Sequence, residues 1–187
     1  KNNNFKRGYT IQILRGQSAL EVAFNEKKFK NLKFGSKFHQ NFLDNYGHSI
    51  PMAIICEDFP DKKNYLELDH KNKDISGMPG IKVNYKISDN TKKMLSHGIN
   101  KCKEVLKTAG AVRIRSFGPV RDTGWHIMGT ARMGLNKKNS VVNPSCQTHD
   151  IENLFIIDSS VFTTSSGVNP LNTIMALSLR ATDFIKH

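Results

Sequence analysis

Phe155-Ile156-Ile157 is a short apolar run that ends on an acid, Asp158, and follows a polar Glu152-Asn153 turn. Apolar on both faces, it fits a buried strand of a parallel sheet. A Ser/Thr-rich loop containing Gly167 leads to Asn169-Pro170, which opens a helix, since Asn is a favoured N-cap and Pro is pre-set for the first turn. Ile174, Leu177, Ser178, Ala181 and Ile185 recur at helical spacing, and Met175 and Leu179 widen the apolar surface almost all round. The pattern predicts a largely buried helix, closed by Lys186 and His187 with the lysine charge set against the helix dipole. The unit is strand, loop, helix, with an acid at the strand's carboxyl end, where open α/β sheets hold their ligands. A helix N-terminus at that place favours negative charge. An ordinary βα unit in which Asn169 is only a cap has the same pattern.

His126 lies upstream in Gly124-Trp125-His126-Ile127-Met128-Gly129-Thr130-Ala131-Arg132-Met133-Gly134, with no carboxylate beside it. Histidine is the usual general base near neutral pH. Alone, it is equally compatible with a satisfied structural histidine, because nothing local pairs it with a nucleophile or a metal.

The first part of the chain reads differently. Tyr9–Leu14 and Ser49–Cys56 are strand candidates, and Tyr65–Asp69 alternates apolar and polar. Ile81-Lys82-Val83-Asn84-Tyr85-Lys86-Ile87 is a period-two strand with one wet face, which implies an antiparallel sheet exposed on one side. Ala19 to Phe24 can begin a helix, and the Lys-rich stretch from Asn25 to Lys37 reads as surface. Ser88 is placed as an N-cap and Gly110 as a C-terminal stop for a helix whose Leu95, Ile99, Cys102, Leu106 and Ala109 share one face. Val112–Ile114 is a further short strand candidate, and His149 is expected to be held in its turn by Asp150.

Twenty-eight Lys and Arg against 16 Asp and Glu give a net charge of +12 over 187 residues. Pairs such as Lys62-Lys63, Lys92-Lys93 and Lys137-Lys138 are scattered, and no nucleic-acid-binding motif accompanies them, so they read as a solvated basic surface. Three distant cysteines, Cys56, Cys102 and Cys146, form no Cys-x-x-Cys pair and imply neither a zinc site nor a disulfide framework. Neither a signal-peptide pattern nor an apolar stretch of membrane-spanning length occurs in the sequence.

The linked blocks resemble the C-terminal signature of the glucose–methanol–choline (GMC) flavin-dependent alcohol oxidoreductases. The His-x-x-Gly-Thr-x-x-Met-Gly block is His126 to Gly134, the Leu-Phe-Ile-Ile-Asp strand is Leu154 to Asp158, and the later Asn-Pro is Asn169-Pro170. Several linked matches in order carry more weight than any one motif. The resemblance implies an α+β fold: an antiparallel sheet with flanking helices as substrate domain over residues 1–123, then residues 124–187 as the catalytic histidine segment and the piece completing a Rossmann-like FAD domain. It implies His126 as acid/base and Asn169 as the group positioning the alcohol oxygen. FAD contacts would come from Asp158, Ser159, Asn169, Pro170, Leu171 and Asn172. The spacing around Gly124-Trp125-His126 and Asn143-Pro144 is similar to bacterial sugar and sugar-acid dehydrogenases of the family.

A Gly-x-Gly-x-x-Gly turn after a first strand should open a dinucleotide-binding domain, and the thirteen glycines here form no such triplet. The expectation is a C-terminal part of a longer enzyme, or one piece of a split one, whose partner is an FAD-binding half. Two other classes fit the same residues: a non-catalytic partner retaining the fold, and a basic binding module.

Overall fold

The computed structural model describes residues 4–28, 35–120, 124 and 126–185. The side chains of 24–28, including the Lys27-Lys28 pair, together with Arg121, Trp125 and the closing Lys186-His187, lie outside the description. By compactness the chain divides into Ile11–Ile55 and a larger unit of Lys1–Thr10 with Cys56–His187. It differs from the division expected from the sequence, between residues 123 and 124.

Strands β1 (Tyr9–Ile13) and β2 (Met52–Cys56) pair, flanked by Leu14 N–H donating to the Pro51 carbonyl and Glu57 N–H to that of Gly8. These bonds run in opposite senses along the chain, so the pair is antiparallel. Within Ile11–Ile55, helix α1 (Ala19–Lys28) starts on a capping box: Glu21 N–H donates to Ser18 Oγ at 3.3 Å, and Ser18 N–H donates to Glu21 Oε2 at 2.8 Å. Helix α2 (Ser36–Asn45) packs against it and was not anticipated. Its N-cap is Gly35 at φ 67°, which supplies no side-chain cap for a sequence reading to find.

In the larger unit β3 (Tyr65–Lys73) and β4 (Pro79–Asn84) form an antiparallel hairpin in which Leu66 faces Val83, Glu67 faces Lys82 and Leu68 faces Ile81. One face is therefore polar, with Lys82 Nζ 2.6 Å from Glu67 Oε1; the other carries Leu66, Leu68, Ile81 and Val83, all exposed. The hairpin is longer than expected. Asp74 Oδ1 accepts from the N–H groups of Ser76 (2.8 Å) and Met78 (3.0 Å), so the polar stretch after Asp69 is an organised turn.

Helix α3 (Asp89–Thr108) is capped as the sequence implies, with Thr91 N–H donating to Ser88 Oγ at 3.1 Å and Gly110 at φ 84° beyond its end. Its buried stripe is Thr91, Met94, Gly98 and Cys102, with Ala109 left exposed. Cys102 is core, as expected. Val112–Ile114 makes no strand: the chain bends at Val112 and joins no ladder, and Val112 is fully exposed.

Residues 133–156 fold as isolated bridges, Met133 with Val142, Val142 with Thr148, and Gln147 with Phe155. They wrap a core of Val142, Cys146, Val161 and Ala181, against which Met133, Ile156, Phe162 and Leu177 pack. Two expectations are corrected here. Phe155–Ile157 is not a buried parallel strand, for Phe155 makes one antiparallel bridge and Ile157 is exposed, because the described residues supply no parallel neighbour. Helix α4 (Leu171–Ile185) exists but is not largely buried: Leu171, Met175 and Leu179 are 61%, 56% and 69% exposed. Only its Leu177 and Ala181 side meets the core.

Candidate active site

The segment after His126 is laid along the short 3-10 helix η1 (Ser159–Val161) by three main-chain bonds: Gly129 N–H to the Ser159 carbonyl (3.3 Å), Ala131 to Ser160 (2.9 Å) and Met133 to Val161 (2.8 Å). Ser159 Oγ donates to the Ile127 carbonyl at 2.7 Å, one residue from His126. The two sequence blocks, some thirty positions apart, are thus one structural unit.

Gly129 and Gly134 of the His126 block each have a steric reason. Gly129 takes φ +85°, and a Cβ there would meet the Phe162 carbonyl oxygen at 3.2 Å. At Gly134 a Cβ would come within 2.8 Å of Ser140 Cβ.

His126 itself is half-buried. Asp158 is exposed and accepts from the Ser160 N–H at 2.7 Å through Oδ1, acting as the N-cap of η1. Asn169 is exposed and Pro170 buried immediately before α4, whose first residues Leu171, Asn172 and Thr173 face outward. Ser178, in the second turn of α4, donates from Oγ to the Ile157 carbonyl at 2.9 Å. That bond fixes the helix to the chain entering Asp158. The expected site residues His126, Asp158, Ser159, Asn169, Pro170, Leu171 and Asn172 therefore lie on three pieces: the His126 strip, η1 with its Asp158 cap, and the start of α4 with the two residues before it.

His149 has the structural role expected of it, by other means. Its Nε2 lies 3.0 Å from Ser140 Oγ and 3.1 Å from the Gly134 carbonyl, so the Ser140 hydroxyl and the Gly134 backbone hold it, rather than Asp150. An open groove of about 260 Å³ flanks the strip, lined by Thr130, Arg132, Lys137, Lys138, Asn139, Ser140 and Val141. Among the described residues no cluster of three or more His, Cys, Asp or Glu could hold a metal ion. No helix among them is long and apolar enough to cross a membrane.

A family model described as "GMC oxidoreductase", covering its C-terminal domain, matches residues 60–178. The chain is 35% identical over 185 residues to a 2-methyl-1,2-propanediol dehydrogenase from Mycolicibacterium austroafricanum, covering 98% of this chain and 34% of that protein. It is 30% identical to the fructose dehydrogenase large subunit of Gluconobacter japonicus, over 81% of this chain and 28% of the relative. It is 27% identical to the gluconate 2-dehydrogenase flavoprotein of Pantoea cypripedii, over 77% and 25% respectively. Among solved structures it is similar to pyridoxine 4-oxidase from Mesorbium loti, with a TM-score of 0.53 at 15% identity, over 74% of this chain and 30% of that one. The chain belongs to the glucose–methanol–choline oxidoreductase family. It spans about a third of the length of the relatives it matches, and corresponds to their C-terminal part.

Proposed function

We propose that this chain supplies the substrate domain and the catalytic strip of an FAD-dependent oxidoreductase acting on CH–OH groups. The observation that carries the reading is the joining of the His126 strip, Asp158–Val161 and α4 into one unit through main-chain and Ser159 bonds. The residues present fit a flavin. Asp158 offers an exposed carboxylate and α4 an exposed start, whose first N–H groups have no partner of their own within the helix. Those N–H groups and the helix dipole suit the negative charge of a reduced pyrimidine ring.

Asp158 and Ser159 would hold the ribityl–phosphate part, and Asn169 to Asn172 the ring edge. Flavin, when bound, would supply the two-electron acceptor for the hydride of the carbinol carbon, through its N5, so that the alcohol leaves as a carbonyl compound. His126 takes the hydroxyl proton, which raises electron density on that carbon. Asn169 hydrogen-bonds the same oxygen and fixes its place, an effect of proximity and of charge. The functional boundary falls near residues 123 and 124, with residues 1–123 facing the substrate. A sugar, sugar acid or related polyol is the favoured substrate class, in line with the relatives named for fructose and gluconate. The remaining FAD-binding half comes from the rest of a longer polypeptide or from a separate chain.

The test is anaerobic mixing of the flavin-loaded protein containing this chain with sugars, sugar acids and simple alcohols. Bleaching of the oxidised flavin band by at least one CH–OH compound is expected. No bleaching across these classes, together with salt-sensitive retention on nucleic acid, favours the basic binding module instead.

A further inference from the structure

Ser165 lies in the loop from Phe162 to Asn169, four residues before the asparagine. Its hydroxyl closes a ring with the backbone of a single distant residue. Asp58 N–H donates to Ser165 Oγ at 2.9 Å, and Ser165 Oγ donates to the Asp58 carbonyl at 2.8 Å, across 107 positions of sequence. Asp58 is itself fixed by its carboxylate: Thr91 Oγ1 donates to Oδ1 at 2.8 Å and the Tyr85 hydroxyl donates to Oδ2 at 2.5 Å. Thr91 is only 5% exposed and is bound to the Ser88 cap of α3. Burial first, and then the bond to Asp58, push the Tyr85 hydroxyl well above its ordinary pKa, so it stays a donor.

The clasp joins the anchored Asp58, held by Tyr85 and by Thr91 of α3, to the loop that leads to Asn169. Among the described residues the loop's other hydroxyl bonds are local and long: Thr164 Oγ1 to the Ser165 carbonyl at 3.5 Å, and Ser166 Oγ to that of Val168 at 3.4 Å. The far side of the loop is tied to the His126 strip through Ser159 and Gly129.

We infer that Ser165, clamped by Asp58, is a positioning residue that sets the height of Asn169 relative to His126. The inference rests on the reading that these two side chains act on the alcohol oxygen. Displacing a catalytic group by a fraction of the loop's freedom costs rate more than cofactor, because of the proposed flavin contacts only Asn169 lies in the loop, the others being Asp158 and Ser159 before it and Pro170 to Asn172 after it.

The experiment is a double-mutant cycle in the flavin-loaded protein, read as the rate of flavin reduction by substrate under anaerobic conditions. Ser165→Ala is expected to slow reduction about tenfold to a hundredfold with flavin content and substrate affinity nearly unchanged. Ser165→Thr, which keeps the hydroxyl, restores most of the rate. In an Asn169→Ala background the same Ser165→Ala change adds little, since the group it positions is gone. Should Ser165→Ala lose its flavin, Asp58→Asn, which loosens the clasp and keeps the serine, replaces it in the cycle. Equal and additive slowing in both backgrounds, or no slowing in either, overturns the role of Ser165. His126→Ala is run alongside: if it leaves flavin reduction untouched, the reading of the site fails and the inference falls with it.

Discussion

Gly129 follows His126 by three residues, and its φ of +85° is one that a side chain resists. Gly129→Ala also brings a Cβ to within 3.2 Å of the Phe162 carbonyl, where the strip binds η1. The expected cost is about 1–3 kcal/mol, read as a lower denaturant midpoint at unchanged slope. Cys56 offers a second residue-scale check. Burial, and then the nearby Asp58 charge, raise its thiol to about 11. Alkylation by iodoacetamide should therefore be slow near neutral pH and should accelerate toward pH 11; fast modification of Cys56 at pH 8 contradicts the assignment. The sign for stability follows. The unfolded thiol loses its proton first, near the ordinary thiol value of 9.0, so the contribution is intact below that pH and is lost as pH rises through about 11. At this scale the sequence proposes a role only where a motif names a chemistry, as with His126, Asp158 and Asn169. Ser165 and Asp58 escaped it because their contact spans 107 positions and neither belongs to a local pattern.

Among the elements, α3 was readable from both ends, because Ser88 and Gly110 satisfy the backbone groups that a helix leaves open. The hairpin β3–β4 was readable from strict alternation. Helix α2 was not, since it starts on a glycine and its flanking Lys-rich sequence resembles surface. Phe155–Ile157 was misread because an apolar run announces burial without saying which chain provides it. Within α3, Met94 is fully buried, and Met94→Ala should cost about 2–5 kcal/mol in chemical unfolding, through lost transfer energy and the cavity left behind. A loss under about 0.5 kcal/mol, typical of surface positions, would show that α3 does not pack as described.

For the molecule as a whole, two apolar surfaces lie open: the Leu66, Leu68, Ile81 and Val83 face of the hairpin, and the outer side of α4. Large exposed apolar patches mark surfaces that meet another polypeptide. A chain that covers about a third of its relatives is consistent with such a need. Titrating the isolated chain with FAD should then give no tight complex and no perturbed visible spectrum, and no alcohol turnover. Stoichiometric flavin with a shifted spectrum would mean that the site is more complete within these residues than their arrangement implies. Helix α4 was legible as a helix, but its exposure was not: an apolar surface almost all round records which residues seek burial and not whether the partner is present.

The most direct test of the central claim is the rate at which substrate reduces the flavin of the loaded protein, compared between the native chain and His126→Ala. Loss of a positioned acid/base is expected to slow reduction by about a hundredfold to ten-thousandfold with flavin still bound. An undiminished rate in His126→Ala would contradict the assignment of this strip as the catalytic one.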